Sequence, residues 1–173
     1  MLSRPSQKRI WTPWRLKYVA GAKTTGCVFC EKLAADSADD RENLILYRGQ
    51  RNFVIMNLYP YNNGHVMVVP NEHLATVEDL DAETLLESGR LVQSCVRALR
   101  VTMRPEGFNI GINLGKIAGA GIADHVHVHV VPRWGGDTNF MPVLGEVRLI
   151  PELPGDTYDH LVASGLGRDV GSA

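Results

Sequence analysis

The stretch HVHVHVVPRW, residues 125–134, decides how this chain is read. Histidine and valine alternate along it. In an extended strand alternate residues share a face, so His125, His127 and His129 point one way and Val126, Val128 and Val130 the other. The valines account for the strand, because they pack toward a helix and a core. The histidines have no packing rationale, since adjacent imidazoles make a poor core and are unusual on a solvated face. Two chemical uses compete. One is a metal site with histidine ligands. Neighbours at i and i+2 lie about 6.6 Å apart and can share an ion, but the outer pair is about 13 Å apart, which makes convergence of all three awkward. The other is a division of labour in which one imidazole attacks phosphorus while its neighbours orient it or hold charge. Imidazole suits that task because it is neutral and nucleophilic near pH 7 and its second nitrogen can be fixed by a hydrogen bond.

The residues just upstream favour the second use. NLGKIAGAG (113–121) offers Asn113 and then Gly115, Gly119 and Gly121. Glycines let backbone N–H groups approach an anion closely. Such a loop alone is weak evidence, but directly before a histidine row it is placed as a phosphate cradle beside a nucleophile.

Further upstream, LILYRG (44–49), NFVIMNL (52–58) and GHVMVVP (64–70) are apolar segments separated by Gly49–Gln50 and by the turn-rich YPYNNG. They are predicted to be successive antiparallel strands, with GFNIGINLG (107–115) and residues 125–133 as two more. Between them, from about Val77 to Met103, Leu80, Leu85, Leu86, Leu91, Val92, Cys95, Val96 and Leu99 recur at helical spacing. This predicts an amphipathic helix over one face of the sheet, capped by Thr76 with Glu78 and Asp79 in its first turn. Cys95 belongs to its apolar face and is assigned to the core. CVFCEKLAA, starting at Cys27, fits a short helix, and a terminal helix is expected near Thr157–Ala163. The fold class is therefore α+β, with a five-stranded antiparallel sheet and one main covering helix. The expected organisation is an N-terminal arm over 1–25 bearing Trp11, Pro13 and Trp14, one domain over 26–155 that ends in extended segments, and a C-terminal helix with a frayed tail over 156–173.

Composition limits the function classes. The chain has 173 residues, enough for one domain with a sizeable core. Its formal net charge is −1, so no large electrostatic footprint for nucleic acid or anionic membrane is expected. A small anionic ligand needs only a local site. Neither a membrane-spanning apolar run nor a secretory signal is seen, so the cytoplasm is expected. The three cysteines are an odd number, which argues against a disulfide framework. In a reducing compartment Cys27-Val-Phe-Cys30 then fits a zinc knuckle lacking its second ligand pair, or a redox pair.

HVHVHVV at 125–131 resembles the signature of the histidine triad (HIT) family. NLYPYNNGHVMVVP (57–70) is similar to the family's upstream strand pair. GFNIGINLG, AGAGIADH and VVPRWGGDTNFMPV look like the branch that contains diadenosine tetraphosphate phosphorylases of the ATP adenylyltransferase type. The resemblance covers roughly residues 10 to 155. It implies a HIT-like fold with the sheet extended across a homodimer, and nucleotidyl transfer through a covalent histidine–nucleoside monophosphate. His127 would be the nucleophile, its second ring nitrogen held by a backbone carbonyl. His129 would contact the phosphate and Asn113 would stand near it. Asn57 would hold the ribose hydroxyls, Phe29 and Leu58 would form the apolar base pocket, and Gly119, Ala120 and Gly121 would line the phosphates. Many relatives carry Gln-Ser or Gln-Thr where this chain has Ala120–Gly121, so a side-chain donor is absent and backbone N–H groups must serve. His65, of the Gly-His element, sits near the triad in relatives, either as a structural residue or in catalysis. In zinc-bearing members the ligands match Cys27, Cys30, His73 and His125, giving His125 a structural task. The implied partners are an adenine mono- or dinucleotide, with orthophosphate or water as acceptor. The rival readings are a nucleoside phosphoramidate hydrolase, a nucleotide-binding sensor with little turnover, and a hydrolase that uses the histidine row as metal ligands.

Overall fold

The computed structural model describes residues 26–137 and 152–170. The expected arm over 1–25, the segment 138–151 and the last three residues lie outside the described residues.

All five expected strands form: β1 (Ile45–Arg48), β2 (Asn52–Met56), β3 (Val66–Pro70), β4 (Gly107–Ile112) and β5 (Val128–Arg133). They make one sheet in the order β1-β2-β3-β5-β4, and every pairing is antiparallel. The period-2 pattern divides the sheet into two apolar faces. Leu46, Val54, Met56, Val66, Val68 and Val130 face one way, against Leu91, Cys95, Ala98 and Leu99 of the long helix. Ile45, Phe53, Ile55, Met67 and Val69 face the other way, against Phe29. Helices thus cover both faces: α1 (Val28–Ala34) on the second, and α3 (Ala82–Met103) on the first, after the short α2 (Asp40–Asn43). Tyr158 and Leu161 of α4 (Pro154–Ala163) join the α3 side of the core.

The long helix differs in detail from its sequence reading. It begins at Ala82, and Asp81, not Thr76, caps it by accepting from the Thr84 N–H at 2.7 Å. Val77–Asp79 is a separate 3-10 turn. Leu85 and Leu86 are exposed, while Thr84 and Ser88 turn inward. The cause is local: beneath this end lies buried Asn52, whose side-chain amide donates to the Thr84 carbonyl at 3.0 Å and to Glu87 at 2.9 Å. A small polar helix face fits that neighbour better than leucine.

Two features place the elements that carry the histidines. Arg48 holds the end of α1, donating to the Leu33 carbonyl at 2.6 Å and the Ala35 carbonyl at 3.1 Å while pairing with Asp40 at 2.7 Å. Gly64, at φ 72°, turns the chain into β3 so closely over α3 that a β-carbon would lie 2.5 Å from the Met103 sulfur. The next residue is His65.

The end of the chain also packs. Leu166 and Val170 are buried in the core where fraying is expected over the last ten residues. The Gly167 N–H donates to the Ser94 hydroxyl at 2.9 Å. Gly167 sits at φ 84°, with the Tyr47 ring in the space a β-carbon would need. No helix among the described residues is long and apolar enough to cross a membrane. Replacing Gly167 with Ala should therefore destabilise the protein by about 1–3 kcal/mol, through left-handed strain and overpacking against Tyr47. Urea unfolding checks this, and an unchanged midpoint would show that the segment does not pack as described.

Candidate active site and metal centre

The histidine row begins before the paired part of its strand. Val128 is the first residue of β5, because the chain just upstream bonds elsewhere: the Val126 N–H donates to the Leu74 carbonyl at 2.7 Å. Val128 and Val130 pack toward α3 as expected, and all three histidines of the row are buried. Each is held differently.

His125 belongs to a cluster. Its Nδ1 lies 3.3 Å from the Cys27 sulfur, 3.6 Å from the Cys30 sulfur and 3.2 Å from His73 Nδ1. Cys30 and His73 approach to 3.4 Å. The four ligand atoms all fall within 4.8 Å of one another. A tetrahedral zinc ion with ordinary bond lengths would put its ligand atoms about 3.3–3.8 Å apart, so the donor set fits the metal in spacing and in chemistry. His125 Nε2 lies 2.9 Å from the Pro70 carbonyl. A carbonyl only accepts, so the proton is on Nε2 and the Nδ1 lone pair faces the cysteines, the tautomer a metal requires. Burial and the neighbouring Cys27 push the Cys30 thiol up in the absence of an ion.

His127 Nδ1 lies 2.8 Å from the His125 carbonyl. By the same logic Nδ1 carries the proton, and Nε2 is left with its lone pair. The ring is flanked edge-on by Phe29, with centroids 5.1 Å apart, and by His129 at 4.6 Å. Desolvation pulls its pKa below the ordinary histidine value, partly offset by that carbonyl bond, which favours the unprotonated, nucleophilic ring.

His129 ends a proton chain. The backbone N–H of Tyr61 donates to His65 Nδ1 at 3.1 Å, so His65 carries its proton on Nε2 and donates it to His129 Nδ1 at 3.0 Å. His129 must then hold its own proton on Nε2; Asn113 Nδ2 lies 3.4 Å from it, donor facing donor, so the two make no bond to each other and both N–H groups are left for an acceptor. Asn57 joins the same chain, its amide 3.3 Å from His65 Nδ1 and its oxygen accepting from the Tyr59 N–H at 2.9 Å. The Tyr61 ring lies over both imidazoles, at 4.8 Å from His65 and 5.7 Å from His129. Burial lowers His65 to about 3 and His129 to about 4, so both are neutral near pH 7.

The sequence-derived residues thus fall into two groups on one face of the sheet. Cys27, Cys30, His73 and His125 form a cluster able to hold a metal; His127, His129 and Asn113, with Asn57, form the second group beside it. Phe29 is buried under His127, whereas Leu58 is exposed on the loop after β2. Gly115 and Gly119 take left-handed conformations around the 3-10 turn Lys116–Ala118. The amides of Ala118, Gly119 and Ala120 bond within that turn, and Gly121 follows it toward His125. Sequence reasoning left His65 open between two roles and missed Tyr61. The signal for both was the turn that places the Tyr61 N–H four residues before the His65 ring. Cys95 is core as expected, its thiol raised to about 12 by burial. His160 is exposed and pairs with Glu152 at 3.0 Å.

The chain is similar to known proteins in sequence and in fold. Residues 39–136 match the family model described as the HIT domain. The chain is 42% identical to the AP-4-A phosphorylase of Mycobacterium tuberculosis strain H37Rv, over 89% of this chain and 82% of that one. Its fold is similar to a zinc-bound histidine triad family protein from Mycobacterium smegmatis, at TM-score 0.65 and 29% identity, covering 83% of this chain and 96% of that one. It is equally similar to a hypothetical histidine triad nucleotide-binding protein from Sulfolobus tokodaii, at TM-score 0.65 and 26% identity, covering 84% of this chain and 97% of that one.

The neutral His65–His129 pair has a consequence for stability. Both pKa values lie below the unfolded value of 6.5, so the unfolded chain binds more protons as the pH falls. The stability contributed by keeping each ring neutral is full above about pH 6.5 and is lost as the pH drops toward the folded values. Urea unfolding should show a loss on the order of 2 kcal/mol per histidine between pH 7 and pH 5, and His65→Gln should show a smaller loss over the same window. An identical pH dependence in the variant would contradict the buried neutral pair.

Proposed function

The chain belongs to the HIT family, and on that basis we propose that it is a nucleotidyl-transferring enzyme acting on adenine dinucleoside polyphosphates through a covalent histidine–AMP intermediate on His127. The observation that carries the proposal is the His127 Nδ1–H bond to the His125 carbonyl at 2.8 Å, which leaves the Nε2 lone pair for attack. The 42% identical relative, named AP-4-A phosphorylase, supports diadenosine tetraphosphate as substrate and orthophosphate as acceptor.

In the first step His127 Nε2 attacks the α-phosphorus. A P–N bond forms, the bond to the bridging oxygen breaks, and ATP leaves with that oxygen's electron pair. In the second step an orthophosphate oxygen attacks the same phosphorus, the P–N bond breaks, and ADP is released with His127 restored. Water in place of orthophosphate gives AMP. His129, with its proton on Nε2, donates to a phosphate oxygen as a neutral group. Asn113 stands beside that contact, Asn57 meets the ribose, and Gly119, Ala120 and Gly121 line the phosphates. Phe29 and Leu58 bound the base from the buried and exposed sides.

Cys27, Cys30, His73 and His125 would hold zinc. The ion is placed as structural: bound there, it would draw the N-terminal segment onto the catalytic strand, and every chemical step is performed by side chains of the second group. A homodimer is proposed through β4, which is the last strand of the sheet and leaves Ile110 and Ile112 exposed on its α3 side. An edge strand that is unpaired on its outer side among the described residues, beside exposed isoleucines, is suited to pairing with a second copy.

Incubation with diadenosine tetraphosphate, resolved by ion exchange, tests the reaction. ADP plus ATP only with orthophosphate present is expected, and AMP plus ATP regardless of phosphate would make it a hydrolase. No products, with nucleotide still bound, would favour the sensor reading. His127→Asn should lower turnover by at least about 10³-fold without loss of folding, and retained turnover would eliminate the nucleophile assignment. Elemental analysis should give one zinc per chain, lost in Cys27→Ala.

A further inference from the structure

We infer that the metal centre positions the nucleophile, with Cys27 and Cys30 acting on the His127 ring through Phe29 while His125 acts on it through its carbonyl. The inference rests on the zinc and nucleotide sites proposed above. It concerns how they are joined.

Of the three contacts that hold the His127 ring, one is His129 at 4.6 Å and the other two lead back to the proposed metal ligands. The carbonyl that receives its Nδ1 proton belongs to His125. The aromatic edge that packs on it belongs to Phe29, which lies between Cys27 and Cys30 and also touches the His125 ring at 5.4 Å. Phe29 is 2% exposed, so it has little freedom while α1 stays in place. α1 itself is only seven residues long, and its N-cap residue Cys27 makes no side-chain capping bond. A helix of that length is not stable alone and takes its position from its packing on the sheet, through Phe29, Val28 and Leu33, and from what holds its ends. Arg48 holds the C-terminal end by its bonds to Leu33 and Ala35. At the N-terminal end the polar anchors are the two sulfurs, in the cluster with His73 and His125. Without an ion the sulfurs are joined to the histidines only by weak contacts of 3.3–3.6 Å, and with one they become metal thiolates. His125 has a second anchor in Pro70, so its carbonyl stays in place longer than Phe29 does.

Order at the metal and order at His127 are therefore the same order, seen from two ends. A nucleotide whose phosphate meets His127 Nε2 restrains the ring and, through Phe29 and the His125 carbonyl, the metal ligands. By thermodynamic reciprocity, zinc must strengthen nucleotide binding by the same factor by which nucleotide strengthens zinc binding.

The test uses the full, zinc-loaded chain. Zinc affinity is measured at equilibrium by competition with a chromogenic chelator, with and without saturating AMP, and AMP binding is measured by calorimetry in the same buffer. AMP should tighten zinc binding about tenfold, within the usual range for linked sites. Phe29→Ala keeps all four ligands. It should still bind zinc, but AMP, at a concentration that calorimetry shows to saturate the variant, should no longer tighten zinc binding appreciably. AMP that binds yet leaves the wild-type zinc affinity unchanged overturns the inference and spares the proposed function. So does a Phe29→Ala protein in which AMP tightens zinc binding as strongly as in wild type. A zinc-loaded chain that binds no AMP overturns the proposed function and this inference together.

Discussion

A single hydrogen bond, from His127 Nδ1 to the carbonyl two residues back, joins the two halves of this site. It settles which nitrogen of His127 is protonated, and hence which can attack. It also ties that nitrogen's orientation to the backbone of His125, whose side chain looks into the Cys27, Cys30 and His73 cluster. The bond is available because the chain is not yet in the sheet at this point. In a regular ladder the carbonyl at 125 would point sideways to a neighbouring strand. Here the backbone of Val126 bonds to the Leu74 loop, and the ladder starts at Val128.

The sheet supplies the frame around that bond. Its α3 face is closed by Leu91, Cys95 and Leu99, which leaves the chemistry to the other face. There the apolar patch around Phe29 and Phe53 ends where the histidines begin. Burial acts on the two imidazole groups in one direction, keeping them neutral, but hydrogen bonds give them different tautomers. His127 offers a lone pair, and His129 offers its own Nε2 proton, because His65, fixed by the Tyr61 amide, donates to its Nδ1. An N–H donor and an imidazole lone pair thus sit side by side without either ring being charged.

How much of this was legible in the sequence follows from the range of each interaction. Period-2 valines and glycine-punctuated turns specify strands locally, so all five strands and their antiparallel sense could be read. The spacing of the histidine row left two uses open, a shared metal or a division of labour, and the separate tasks expected of His125, His127 and His129 came from the resemblance to the HIT family. The start of α3 was misread because Leu85 and Leu86 fit a helical stripe. What lies under them is Asn52, more than thirty residues away in sequence and invisible to a periodicity argument. The packed end of the chain was missed for a similar reason. Glycine and charge around residue 167 look like a frayed tail until Tyr47 and Ser94 are brought beside it by the fold. His65 was ambiguous because a tautomer depends on a backbone amide whose direction only the turn at Tyr61 determines.

The register of β4 against β5 has one more consequence. Gly111 is the residue paired with His129, and it shares that residue's face. A β-carbon at 111 would meet nothing within 4 Å, and its backbone angle is one that any residue can adopt. Neither packing nor conformation therefore demands glycine there. What the missing side chain leaves is uncovered backbone on the outer flank of His129, in the last strand of the sheet among the described residues. A small side chain introduced at 111 would stand beside His129 without displacing any neighbour, so that flank can be narrowed without rebuilding the fold.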